Sequence, residues 1–200
     1  MPTAFSLAPL GINGDVTIEG TFEILRHVHD APVLFLLMEH HTTPASITQN
    51  IAAAEELVAR ASVILLGAES HEWEDNIPAN EHIEFFEHFR DRPGLNVVGI
   101  ESKPLLDAME ADVAEPPLGN WPGITIPQHP FNTVRSYFFL ASTFRYRRIN
   151  KIEHNAIINA GGKHIDDICR IALNGEADIL TGGPVSYVRV KPTAYPARSG

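Results

Sequence analysis

Glutamate and histidine meet repeatedly at the ends of apolar runs in this chain, and a carboxylate beside an imidazole is the outline of acid–base or metal-ligand chemistry. Glu39-His40-His41 follows Val33 to Met38, and Glu69-Ser70-His71 follows Val63 to Ala68. Glu101 closes Asn96 to Ile100, and His164 follows Ala156 to Ala160 through Gly161-Gly162-Lys163. A carboxylate can hold an imidazole in one tautomer, and either group can act as general base or bind a metal ion. Helix capping would explain Glu39, or Glu101 beside Ser102, equally well. An acidic surface loop would suit Glu72, Glu74 and Asp75 better than Glu69, which stands nearest the apolar run. What singles these residues out is their repeated position rather than any one of them.

The elements that must position them are legible as patterns. Continuous apolar runs of this length, bounded by polar residues, read as strands buried on both faces, as in parallel sheets covered by helices. Between them lie helix patterns. Thr43 and Pro44 open one with Ile47, Ile51, Ala54 and Val58 on a face, a hydroxyl at the cap and proline at the first position. Asn80 to Arg90 carries Ile83, Phe86 and Phe89; a short helix runs over Lys103 to Ala111. Phe131 to Glu153 reads as a long helix with Arg135, Arg145, Arg147 and Arg148, and a last one covers His164 to Leu173. Alternating strands and helices require right-handed crossovers and favour parallel pairing. The expected fold is a single α/β domain over 1–200, with a central mainly parallel sheet and helices on both faces. Strand-end acids then share the crevice beyond the carboxyl edge of the sheet.

Other segments are placed by local signals. Residues 1–20 read as an N-terminal arm. Phe22, Leu25 and Val28 give Thr21 to His29 the spacing of a short helix. The segment 113–130, with five prolines and two glycines, reads as a Pro-rich loop with the character of a lid. Ala177 to Leu180 and Val185 to Val190 read as two short final strands.

Composition narrows the partners. Fifteen basic against 25 acidic residues give a net charge of −10, which disfavours nucleic acid and anionic membranes. The balance is compatible with a site that attracts a cation; the expected partners are a small-molecule or peptide substrate and a second copy in a homo-oligomer. The single Cys169 excludes an intrachain disulfide framework, and its helix of Ile165, Ile168 and Leu173 makes it core filler. No apolar run has the length of a membrane span, and Met1 to Gly14 lacks a basic start and apolar core, so the expected location is cytoplasmic. GxxxxGK[ST], GxGxxG after the first strand, and HExxH are all absent.

With these pieces in place, the chain resembles the broad superfamily of TraB/PrgY proteins, Tiki metalloproteases, ChaN haem-binding proteins and erythromycin esterases. Their first motif, a strand followed by GxxH and often GExH, is similar to Met38-Glu39-His40-His41. Their next strand ends in a carboxylate, like Ala68-Glu69. An arginine-bearing helix then precedes a second GxxH, as Arg147-Arg148 precede Gly161-Gly162-Lys163-His164. The resemblance covers roughly Thr21 to Ile171. Met38 stands where the family has glycine, which would crowd the turn, and Lys163 stands where a small residue is usual.

The resemblance implies a hydrolase, protease- or esterase-like, built on Glu39, His41, Glu69, Glu101 and His164 with Arg148 stabilising an anion. In one version His41, Glu69 and His164 hold a divalent metal, Mn, Co, Fe or Zn, whose water is the nucleophile. In the other a His/Glu pair activates water directly. A ChaN-like alternative binds haem or another tetrapyrrole, with Tyr137, Tyr146 or the histidines as axial ligands. A third is a scaffold that kept the fold and lost the chemistry.

Overall fold

The computed structural model describes residues 1–71, 83–114 and 130–196. Its centre is a six-stranded sheet in the order β3 (Gly20–Arg26), β8 (Ser186–Pro192), β4 (Val33–Glu39), β7 (Asn155–Gly161), β5 (Val63–His71) and β6 (Asn96–Glu101). Every neighbouring pair is parallel except β3–β8, which is antiparallel. All seven residues of β4 are buried, as an apolar run between two helical layers should be.

Successive strand residues face opposite sides, so each strand feeds two cores. Val33, Phe35 and Leu37 join α1 (Pro44–Arg60) and α2 (Ile83–Arg90) on one face. Leu34, Leu36 and Met38 join α4 (Pro130–Ile149) and α5 (Gly162–Leu173) on the other. The described part of the chain is thus the α/β layering that its strand and helix patterns imply. A helix α3 (Lys103–Ala114) precedes the undescribed residues 115–129, so most of the Pro-rich segment 113–130 lies outside the described residues.

Four local expectations are corrected. Residues 1–20 are not a loose arm: β1 (Thr3–Ser6) and β2 (Asp15–Ile18) pair as an antiparallel ribbon that buries Leu7, Leu10, Val16 and Ile18 in the α1 core. Thr21 to His29 is not a helix. Its Phe22 and Ile24 alternate with exposed Thr21 and Glu23, the period of a half-covered edge strand, and β8 supplies hydrogen-bonding partners that outweigh a weak helical spacing. Ala177 to Leu180 is not a strand but the start of α6 (Ala177–Thr181), stopped at Gly182 in the left-handed region. The long arginine helix ends at Ile149, earlier than Glu153, and Lys151 just beyond has a positive φ of 53°.

Candidate active site

Strand order sets the geometry of the site. Because β7 lies between β4 and β5, the carboxyl edge presents Glu39, Gly161, Glu69 and Glu101 in a row. Adjacent strands are spaced at about 4.8 Å, so the three carboxylates are spread over roughly 14 Å. Two cations fill the intervals between them. His41 sets Nδ1 at 2.9 Å from Glu39 Oε1 and turns Nε2 toward Glu69 Oε2 at 3.5 Å. Arg135 donates from Nη2 to Glu69 Oε1 at 3.3 Å and from Nε to both Glu101 oxygens at 3.1 Å, with a further contact from Nη2 to Glu101 Oε2. Glu39, Glu69, Glu101 and Arg135 are all buried, so each cation compensates acids that would otherwise be costly to hold out of water.

His164 approaches from α5. Its Nε2 lies 3.5 Å from Glu69 Oε1, and Nδ1 lies 2.9 Å from Ser136 Oγ on α4. Glu69 is therefore faced by an imidazole on each oxygen, and Gly161 N–H donates to Oε2 at 2.7 Å. Glu39 is held in turn: Asn159 Nδ2 donates to its Oε2, while Asn50 Nδ2 donates to Asn159 Oδ1 at 2.8 Å and to the Met38 carbonyl at 3.0 Å. This chain of amides fixes the carboxylate that fixes His41.

Environment drives the two histidines apart. Burial of His41 opposes its charged form, but hydrogen bonds and charge from Glu39 and Glu69 outweigh burial and raise the imidazolium to about 9. For His164 burial dominates over the Glu69 charge, with Arg135 adding to the effect, and the pKa falls below the ordinary value. Glu101 is raised, because burial and the nearby Glu69 charge outweigh the help it receives from Arg135. At neutral pH the crevice holds one charged and one neutral imidazole. Divergent pairs of this kind separate acid and base roles.

Of the residues singled out in the sequence, Glu39, His41, Glu69, Glu101 and His164 are brought together at one edge. Arg148 is not among them. It is exposed near Gly182, at the opposite end of α4, beside Arg147, which donates to the carbonyls of Ile152 and His154. The reason is polarity: α4 leads into the start of β7, so its C-terminal turns lie at the amino edge and only its first turns reach the carboxyl edge. Thirteen residues at about 1.5 Å each put Arg148 roughly 20 Å along the axis from Arg135. That polarity was available as a signal in the sequence, as was Asn159, a lone amide inside an apolar strand. Ser136, Asn50 and Tyr195 had no such signal. Met38 does not crowd a turn, since β4 continues through Glu39 and the Met38 side chain is buried in the α4–α5 core. Lys163 pairs with Asp167 at 3.1 Å. His71 ends β5.

The crevice occupies about 360 Å³ and is lined by Glu39, His41, Glu69, Arg135, His164 and Tyr195, among others. The donor types His41, Glu69 and His164 suit a divalent metal, but their arrangement does not. Arg135 sits on the same Glu69 oxygen that faces His164, where it would repel a dication. Among the described residues no group of three His, Cys, Asp or Glu side chains is set to hold an ion. For haem, the tyrosines are misplaced. Tyr137 bonds Glu176 at an exposed position, and Tyr146 packs against the α4–α5 core. Cys169 is buried and its thiol is pushed up to about 12 by burial, in keeping with a packing role. Among the described residues no helix is long and apolar enough to cross a membrane. No protein-family model, curated protein or solved structure matches this chain.

Proposed function

We propose that this chain is a hydrolase of acyl bonds, ester- or peptide-type, that activates water with its own His and Glu side chains. The observation that carries this reading is the convergence of two imidazole Nε2 atoms on the two oxygens of Glu69, each at 3.5 Å. At that separation each ring stands at the outer limit of a direct hydrogen bond to Glu69, so a water or acyl oxygen entering the crevice competes for its Nε2. Both rings are fixed through Nδ1, His41 by Glu39 and His164 by Ser136.

The opposed pKa shifts assign the roles. Neutral His164 takes a proton from a water held against Glu69, and that water attacks the acyl carbon. Protonated His41 donates to the acyl oxygen as negative charge develops there, then gives its proton to the departing alkoxide or amine. The proton on His164 returns to His41 by way of Glu69 and solvent, so acid, alcohol or amine, and enzyme balance. Arg135 does not act on substrate. It offsets part of the cost of burying Glu69 and Glu101 and holds both carboxyl groups in place.

The test is the pH dependence of kcat/KM on a panel of small esters and peptides in the presence of chelator. His164 must be deprotonated, so the acid limb should fall below the ordinary imidazole value of about 6.5. His41 must be protonated, so activity should decline as pH rises through about 9. His41→Gln and His164→Gln should each lower kcat by about 10²–10⁴-fold. Loss of activity on chelation, or a rate that keeps rising past pH 9, would overturn the mechanism. No turnover of any panel member would overturn the hydrolase reading.

A further inference from the structure

Two successive glycines, Gly161 and Gly162, form the turn from β7 into α5, and neither has a positive φ. Backbone conformation therefore does not require glycine at either position. Space does. A Cβ on Gly161 would lie 2.7 Å from His41 Nε2, and a Cβ on Gly162 would lie 1.8 Å from the Tyr195 hydroxyl oxygen. The two missing side chains are replaced by two polar tips, an imidazole nitrogen and a phenol oxygen, seated on adjacent residues of one turn. Tyr195 lies outside the stretch over which the motif resemblance holds, on the segment after β8.

That segment is tied down rather than loosely draped. Thr193 N–H donates to the Glu19 carbonyl at 3.1 Å, and Ala194 N–H donates to Gln49 Oε1 on α1 at 2.8 Å. The Lys191 ammonium lies 5.0 Å from the centre of the Tyr195 ring, and His40 meets the ring edge-on at 5.8 Å. Contacts from two other elements thus hold the phenol at the mouth of the crevice. A phenol has both an O–H donor and an apolar ring, and it is well suited to orient an acyl group at the edge of a polar site.

Building on the hydrolase reading, we propose that Tyr195 is a catalytic residue of this site, whose hydroxyl donates to the acyl oxygen of the substrate beside His41. Two donors then converge on one oxygen, His41 Nε2–H and Tyr195 O–H, with Gly161 and Gly162 clearing the space for both. A preorganised pair of donors aimed at a developing oxyanion is the arrangement that lowers the barrier to acyl transfer.

Tyr195→Phe removes the donor and keeps the ring; Gly162→Ala keeps the hydroxyl and forces it aside. On whichever panel ester wild type cleaves, each variant should lower kcat by about 100-fold with KM little changed. Circular dichroism should show both folded. A second readout does not depend on turnover. Tyrosine labelled with ¹³C at the ring carbon bearing oxygen gives four signals, one for each tyrosine, and Tyr195→Phe identifies the relevant one. Titration with acetate, a carboxylate standing in for the acyl product, should shift that signal and the His41 ring protons with one common Kd. Full activity in Tyr195→Phe, with wild type active, would overturn the role of Tyr195 and leave the hydrolase intact. An inactive wild type in which acetate still moves both signals together would sink the hydrolase reading and sustain Tyr195 as an acyl-oxygen ligand. Neither turnover nor an acetate response at Tyr195 would overturn both.

Discussion

Replacing Arg135 by methionine is the sharpest perturbation available, because it removes one buried cation that serves two buried acids. Side-chain exposure is 8 % for Arg135, 8 % for Glu69 and 4 % for Glu101, so water cannot take over the lost hydrogen bonds without opening the site. Breaking a buried ion pair by deleting one partner costs about 3–5 kcal/mol, since the remaining charge is stranded. For a chain of this length each kcal/mol moves the melting temperature by roughly 2–4 °C, so Arg135→Met should melt about 6–20 °C below wild type. Arg148→Met is the control. It is exposed, and its removal should change stability by no more than about 0.5 kcal/mol. Adding Glu101→Gln to Arg135→Met neutralises one stranded acid, so the double variant should be more stable than the sum of the two single losses implies. Urea unfolding followed by far-ultraviolet circular dichroism measures all five proteins, the single Glu101→Gln variant included. If Arg135→Met lies within about 1 kcal/mol of wild type, or Arg148→Met is the more damaging, the alternating row of acids and cations is not what holds this edge together.

Three further outcomes are expected. Gly161→Ala has a compatible backbone, with φ at −52°, yet drives a methyl against His41 Nε2. It should cut hydrolysis by about 100-fold, the scale of a 1 Å misplacement, while the fold persists by circular dichroism. The folded His41 is raised to about 9 from an unfolded value near 6.5, so its contribution to stability is fully present below pH 6.5 and is lost as pH rises through 9. Comparing urea midpoints of wild type and His41→Asn at pH 6 and pH 10 should show a gap that shrinks at the higher pH, by at most roughly 3 kcal/mol. Met38→Gly should not restore a turn, because no turn is there; it empties a core position and should cost about 3–5 kcal/mol with no gain in activity, read by denaturation and by the same hydrolysis assay.

The amino-acid sequence by itself determined the layers and the edge. Runs such as Val33 to Met38 are apolar at every position and too short, between turn residues, for a buried helix, so they read as strands covered on both faces, and parallel strands carry their last residues to one side. Glu39, Glu69, Glu101 and His164 were legible for that reason: each is the polar residue at or just beyond the end of such a run. Tertiary structure alone decided which strand lies beside which. Insertion of β7 between β4 and β5 places a glycine between Glu39 and Glu69 and makes room for His41, and no local pattern in the chain encodes that order. Which arginine serves the site follows instead from chain order, because α4 leads into the start of β7 and so gives its first turns, with Arg135, to the carboxyl edge. Thr21 to Arg26 became a strand because β8 was there to pair with it. Tyr195 entered the site because the ties of its segment to Glu19 and Gln49 carry it back over α5. These are contacts between residues far apart in the chain. Their energies depend on distances that close only on folding, so spacing along the sequence carries no trace of them.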